Sequence, residues 1–569
     1  MVNVKRRAAA ILIVFLLVFP IEQFAAEPEV GGRQASPPAA LGVVSSAHPL
    51  ATEAGWEILR AGGNAFDAAV AIAAALNVVE PMMSGMGGYG TILTYDAKSK
   101  KTRFLNCSGR IPKSLNSDVF RAPAPNWEAN RTGAKAVSTP GNLNCWEAMS
   151  REYGALAWKK LFDPAIRAAE QGYELNAQLA RMIAVSFKDF PEHAKAFYGR
   201  EGKPLGAGER LVQRDLARSF RVIAEQGAKA LHGGEIGQAI DRAMREGASF
   251  LTLDDLRENK AEWWEPIRIR YRGYDVVTSS PPANSFDMLV RLGIMSRFDT
   301  RKMGHNSADY LHSFAEATKH GFWVRLRYAR DPDVGAVPLG ELFSEKYWQA
   351  QATQIDAKQA KPFVPPGASQ DGAGLGASDA ASAEQSHTTH FVVADKWGNV
   401  VSATQTLGNL FGSRLMAPGT GIWLNNSLAY STFEPKGNPM DAFPGRHKLS
   451  GDCPTMIFRE GKLWAALGTP GGHTIGQTVP QIVMNLIDFG MDIENAIAAP
   501  RVSFAEPDML LVEEKIPDVV YQALAARGHR VRKVDGLGNA HGLTIEYGAD
   551  GKPARFRGGA DPRGMGSSK

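Results

Sequence analysis

The chain has few cysteines for its length: Cys107, Cys145 and Cys453 in 569 residues. That excludes a disulfide-dense scaffold, and an odd count leaves at least one thiol free or paired elsewhere. Their wide spacing does not form a metal-binding set. Charge of one sign is also scarce. The net charge of +5 falls by +2 when Lys5, Arg6, Arg7 and Glu22 are set aside, so nothing points to a nucleic-acid partner. Long apolar runs are missing beyond the N-terminus, and no internal repeat is found. Nor is there a P-loop, a GxSxG or an HExxH. With 44% hydrophobic and 22% charged residues, the composition is that of an ordinary globular protein.

What is present begins with Lys5-Arg6-Arg7, followed by the apolar run Ala8–Phe19, Pro20, and Ala25-Ala26. This is the three-part layout of a secretory signal over 1–26. The run is shorter than the roughly 20 residues that span a bilayer. Export to the periplasm or the medium is expected, with membrane attachment only if the signal stays uncleaved. Residues 27–40 are polar and Pro-rich, a flexible lead-in.

Val43–Ser46 reads as a strand and Pro49–Arg60 as a helix stopped by Gly62-Gly63. Asn64 caps a second helix, Ala65–Val78, apolar on all sides and therefore buried. Residues 216–234 read as one helix stopped by glycines. Thr252 and Asp255 form a capping box, and 267–280 reads as strand, turn at Gly273, strand. The segment 362–387 is rich in Gly, Ala, Ser and Asp and buries too little apolar surface to offset its ordering entropy. It is expected to be a mobile linker. Beyond it, 387–395 and 400–407 form a hairpin. GIWLNN (421–426), 454–460 and 462–468 read as further strands, and Thr474–Phe489 as a helix. The order suggests a layered α/β or α+β body.

Gly85-Met86-Gly87-Gly88-Tyr89-Gly90 matches GxGxxG literally. A dinucleotide site needs a strand before it and a helix after it. Here the order is reversed, so close backbone packing is the better reading. His387 and His390 are poorly spaced for a metal pair on one strand face, and no metal is expected.

The junction of linker and strand is the informative feature. A cut between His387 and Thr388 would give Thr388 a free α-amine with a pKa of about 7.7–8.0. That amine can serve as base for the residue's own hydroxyl. Composition alone leaves a plain surface loop as the alternative.

HTTHFVVADKWGNVVSATQTL, with the FGS, GIWLNN, CPTM and TPGG segments after it, resembles the small subunit of the γ-glutamyltranspeptidase family. SSAHPLATEAGWEILRAGGNAFDAAVAIAAALNVVEPMMSGMGGYG resembles the family's large-subunit opening. AVSTPGN, the DDL…YRGYDV stretch and GADPR agree, so the likeness runs from about 42 to 563. It implies an N-terminal-nucleophile hydrolase with an α+β, four-layer αββα core. It also implies a precursor cut between His387 and Thr388 into a large subunit (27–387) and a small one (388–569). By this resemblance Thr388 is the nucleophile, Thr406 orients it, and Gly471 and Gly472 supply the oxyanion hole. No cofactor is needed. The partners are a small-molecule amide substrate and water or an amine acceptor, with no nucleic acid.

The departures fall on recognition of the glutamyl group. Ser108 stands where the family has the arginine for the α-carboxylate, with Arg110 two residues on, about 7 Å along a strand. Gly408 replaces an asparagine, beside Asn409. Tyr430 aligns with the acid for the ammonium, and Ser427 with a preceding glutamate or glutamine. Of a serine pair only Ser450 survives, before Gly451. Ser450, Arg110 and Asn409 are the substrate-binding candidates, and Asp441 and Asp452 are further sources of charge. The expected activity is hydrolysis or transfer of a γ-glutamyl or similar acyl group. The alternatives are a cephalosporin-acylase-like amidase with another acyl group, and a silent exported binding protein.

Overall fold

The computed structural model describes residues 41–121, 131–366, 387–506 and 508–569. The expected signal, the lead-in and most of the 362–387 linker lie outside these residues.

In chain order the main strands are β1 (Gly42–Ser46), β2 (Tyr89–Asp96), β3 (Lys101–Cys107), β4 (Glu262–Trp264), β5 (Ile267–Tyr271), β6 (Tyr274–Thr278), β7 (Thr388–Asp395), β8 (Val400–Thr406), β9 (Thr455–Arg459), β10 (Lys462–Gly468), β11 (His541–Tyr547), β12 (Pro553–Ala560) and β13 (Ser567–Ser568). They form two sheets, ordered β13-β1-β7-β8-β2-β3-β4 and β12-β11-β10-β9-β6-β5.

The side-chain alternation of β7 shows how the layers stack. Phe391 and Val393 join the core shared with helices α1 (Pro49–Arg60) and α2 (Ala65–Val79). Val392 and Ala394 point the other way, into a core with Val277, Met456, Ala466 and Leu543 of the second sheet. The outer face of that second sheet packs on α3 (Phe286–Met295), α4 (Ala308–Tyr328) and α5 (Ile475–Ile487). Helix, sheet, sheet, helix is the expected αββα order.

Local signals account for several boundaries. The α2 capping box is formed by Asn64 and Asp67. The Asp395 carboxylate accepts from the Ala65, Trp397 and Asn399 amides, which ties α2 to the β7–β8 turn. Cys107 at the end of β3 is bonded to Cys145 in the helix Asn142–Tyr153, and Cys453 is a buried free thiol.

Two expectations are corrected. The helix expected over 216–234 runs Arg214–Gln226, because Gly227 turns the chain at φ +76°. GIWLNN is not a strand. Its amides bond to loops, Asn425 N–H to Gly87 O and Asn426 N–H to Leu407 O. The glycine run packs as the sequence suggests: a Cβ on Gly88 would lie 2.2 Å from Thr406 O, and one on Gly87 the same distance from Trp423 O.

One clamp holds the 447–452 segment against β4. His447 Nδ1 lies 3.1 Å from Asp331 and its Nε2 lies 3.1 Å from Glu262. Burial opposes the imidazolium, but hydrogen bonds and charge from both carboxylates outweigh it and raise the pKa to about 9. A pKa raised on folding stabilises fully below the unfolded value of about 6.5 and is lost as pH climbs through the folded value. Replacing His447 by Gln should therefore cost about 2–3 kcal/mol near pH 6, and the gap to wild type should narrow towards pH 9.5. Melting temperatures over that range check this; a gap independent of pH would contradict it.

Candidate active site

Antiparallel pairing of β7 and β8 sets Thr388 directly opposite Thr406. Side chains of directly opposed residues share a face, so the two hydroxyls meet. Thr388 Oγ donates to Thr406 Oγ at 3.0 Å. Thr406 Oγ donates in turn to the carbonyl of His387 at 3.0 Å and accepts from Gly408 N–H at 2.8 Å. A hydroxyl has one proton and two lone pairs. Because the carbonyl can only accept, the Thr406 proton is committed to it, and Thr388 must be the donor between the two threonines. One hydroxyl thus accepts the hydrogen bond of Thr388 while donating its own to the adjoining carbonyl. Both threonines are buried.

No histidine takes that place. The hydrogen bond of Thr388 Oγ goes to Thr406, and burial lowers the pKa of neighbouring His387 to about 4. Burial likewise pushes His473 well below its usual range.

The loop leaving β10 carries Gly471 and Gly472 to the same cavity as Thr388 and Thr406. Gly471 adopts φ +134°, which a side chain would resist. Thr474 fixes the turn by donating both its N–H and its Oγ–H to Gly471 O. The turn runs into α5, so the positive end of a helix dipole faces the cavity. The cavity measures about 160 Å³. A second one of about 670 Å³ reaches His387, Thr388 and Gly471 together with Glu80, Arg181 and Lys533.

Ser450 and Asn409 line the smaller cavity with Thr388, as does Asp452. Arg110 is not brought there. It is bonded to Glu262 at 2.8 Å and to Gly445 O at 3.1 Å, held by the same carboxylate that clamps His447. Asp441 is committed to a buried pair with Arg121. Tyr430 lines the cavity, its hydroxyl 3.4 Å from Asn284 Nδ2. Ser427 is bonded to Ser138.

Reasoning from sequence passed over Lys448, Tyr89 and Arg131. Lys448 is buried, its Nζ 3.6 Å from the centre of the Tyr89 ring and 4.9 Å from that of Tyr430. Burial pushes its pKa well down, against the pull of the Asp452 charge, and pushes that of Asp452 up. A single lysine in a loop carries no sequence signal of this kind. The buried neighbours Leu449 and Cys453 are the nearest hint.

Known proteins bear on this geometry. The chain matches the family described as Gamma-glutamyltranspeptidase over residues 51–569. It is 36% identical over 541 residues to the Acylase ACY 1 proenzyme of Pseudomonas sp. (strain SE83), spanning 91% of this chain and 94% of that protein. It is 33% identical over 536 residues to the Glutathione hydrolase proenzyme of Bacillus subtilis (strain 168), spanning 91% and 90%. The cephalosporin acylase structure from Bacillus halodurans superposes with a TM-score of 0.84 at 28% identity, covering 95% of this chain and 98% of the other. A two-sheet core that starts its central hairpin on a threonine, and a match spanning nearly all of it, lead to one conclusion: the chain belongs to the gamma-glutamyltranspeptidase family of N-terminal-nucleophile hydrolases.

Proposed function

We propose that this protein is a self-processing, threonine-dependent amidohydrolase or acyltransferase, with Thr388 performing both the maturation cut and turnover. The observation that carries the reading is the Thr388–Thr406–His387 hydrogen-bond chain.

In maturation Thr388 Oγ attacks the carbonyl carbon of His387, which Thr406 polarises. The peptide nitrogen of Thr388 departs with a proton as its α-amine, leaving an ester on Oγ. Water hydrolyses that ester to a His387 carboxylate and a free Thr388. Residues 27–387 and 388–569 then form the two subunits, with the 362–387 stretch ending at the new carboxyl terminus. In turnover the Thr388 amine takes the hydroxyl proton as Oγ attacks a substrate amide. The Gly471 and Gly472 N–H groups stabilise the oxyanion. The leaving amine takes a proton, and water or an amine acceptor then releases the acyl group. Ser450 and Asn409 contact that acyl group. The larger cavity, which shares Thr388 and Gly471 with the smaller one, holds the leaving or accepting amine.

The acyl group is γ-glutamyl or a similar one. The acylase reading is favoured by a specific observation: Tyr430 lines the cavity at the position of the family's acid for the substrate ammonium. Residues 1–26 serve as an export signal and the mature enzyme works in the periplasm or the medium. The Cys107–Cys145 pairing supports this. Among the described residues no helix is long and apolar enough to cross a membrane.

Replacing Thr388 by Ala should abolish both the cut and amide turnover, read by intact mass and an anilide assay. Cleavage at the same bond in the variant would show that a separate protease does the cutting. Replacing Thr406 by Val keeps the shape but removes the hydroxyl. It should slow maturation and acyl transfer by about 10²–10³, measured as the rate of precursor loss and as kcat. Equal rates to wild type would contradict the hydrogen-bond chain.

A further inference from the structure

The Cys107–Cys145 disulfide is buried beside the catalytic hairpin. Cross-strand register places its first half. Cys107 ends β3 opposite Gly90 of β2, Gly90 lies opposite Gln405 of β8, and Gln405 lies opposite Thr389 of β7. The neighbouring row pairs Tyr89 with Thr406 and Thr406 with Thr388. The bridge therefore closes a row one residue away from the nucleophile.

Cys145 arrives from the other side, near the start of the helix Asn142–Tyr153. The entry to that helix is bonded to the glycine run. Gly141 N–H and Asn142 N–H donate to Gly88 O at 2.8 and 3.3 Å, and Asn142 Nδ2 donates to Gly85 O at 2.8 Å. Gly88 lies against the backbone of Thr406, where a Cβ would come within 2.2 Å of the carbonyl oxygen. Gly141 is equally close to β3, its Cβ position being 2.2 Å from Cys107 O. These segments meet backbone to backbone without interlocking side chains, and the disulfide is the covalent tie between them. A second route starts inside the loop that the bridge closes. Arg131 O accepts from Asn426 Nδ2 at 2.7 Å, Asn426 Oδ1 accepts from Asn409 N–H at 2.9 Å, and the adjoining Gly408 N–H donates to Thr406 Oγ at 2.8 Å.

The bridged cysteines are 38 residues apart in sequence. Without the bridge, bringing the helix entry to β3 costs the closure entropy of a loop of that length. The remainder of the helix is held independently, because Leu143, Trp146 and Met149 belong to the core. Losing the bridge therefore loosens the contact of Gly88 with Thr406 and leaves the fold standing. A misplacement of about 1 Å at reacting groups is enough to slow a reaction by about 10².

Building on the self-processing reading above, we propose that the Cys107–Cys145 disulfide is a positioning element for the Thr388–Thr406 pair, and that the cut before Thr388 reaches its full rate only in a chain that carries this bridge. Both cysteines are buried once the chain has folded, so the bridge forms during folding. Two thiols become one disulfide, and an external disulfide takes up the two electrons and two protons to become two thiols. Maturation is thereby tied to thiol oxidation: in a reducing compartment the precursor folds and stays uncut.

The test makes the full chain by cell-free synthesis with either reduced or oxidised dithiothreitol, and counts thiols by alkylation after acid quench. The oxidised chain should keep one thiol, Cys453, and separate before Thr388. The reduced chain should keep all three and lose precursor at least about tenfold more slowly by intact mass. Refolding it with oxidised dithiothreitol should restore the rate. In the uncut Thr388→Ala background the two forms should show the same near-ultraviolet circular dichroism. The Cys107→Ala/Cys145→Ala double variant should be slow under both conditions, which separates the bridge from any effect at Cys453. Equal rates of cutting in the reduced and oxidised chains, or a double variant as fast as oxidised wild type, would overturn the assignment. So would loss of the native circular dichroism in the reduced chain, because the bridge would then hold the whole fold and not the hairpin. Each of these results leaves the Thr388 reading standing. A wild-type chain that stays uncut under both conditions would overturn that reading.

Discussion

The single proton of the Thr406 hydroxyl is the constraint on which the site depends. It is committed to the His387 carbonyl, which obliges Thr388 to donate and links its hydroxyl to that carbonyl through a single oxygen. That arrangement exists only in one register of the β7–β8 hairpin. A slip by one residue would turn Thr388 towards α2 and put Thr389, which bonds Glu80, in its place. The register is fixed in turn by burial on both faces of β7. Phe391 and Val393 sit in one core and Val392 and Ala394 in the other. The tight turn closed by Asp395 and Asn399 sets where the pairing starts.

The layers serve the same end. Two sheets packed face to face place the exit of β10 beside the start of β7, so the Gly471 turn reaches the cavity without long connections. The outer helices bury the remaining faces, and α5 brings its N-terminal end to the cavity that holds Thr388. The 447–452 segment is less rigidly determined by the sheets. Its position rests on the ionic clamp at His447 and on backbone bonds from Lys448 N–H to Gly109 O and from Asn284 N–H to Ser450 O.

Much of this was legible from residues alone, for physical reasons that differ from element to element. Helix α1 was found end to end because its apolar spacing and Gly62-Gly63 stop are local signals. The hairpin was legible because alternation, the Lys396–Asn399 turn and the linker composition agree. GIWLNN misled because Ile422, Trp423 and Leu424 are buried in succession, as in a central strand, while their backbone is bonded to loops. Thr388, Thr406 and the Gly471–Gly472 turn, which the structure brings to one cavity, were singled out through family likeness, whereas the buried Lys448 was not. Arg110 has the right chemistry, but its partner Glu262 comes from a distant strand. Lys448 is separated in sequence from Tyr89, so no local pattern reports the contact between them.

The measurement that bears most directly on the central claim is the mass of the small fragment, taken before and after acid quench during turnover of an acyl anilide. The account predicts a fragment that begins at Thr388 and gains the mass of one acyl group, mapped by peptide sequencing to that threonine. A fragment that begins at another residue, or an acyl group carried on another side chain, would contradict it.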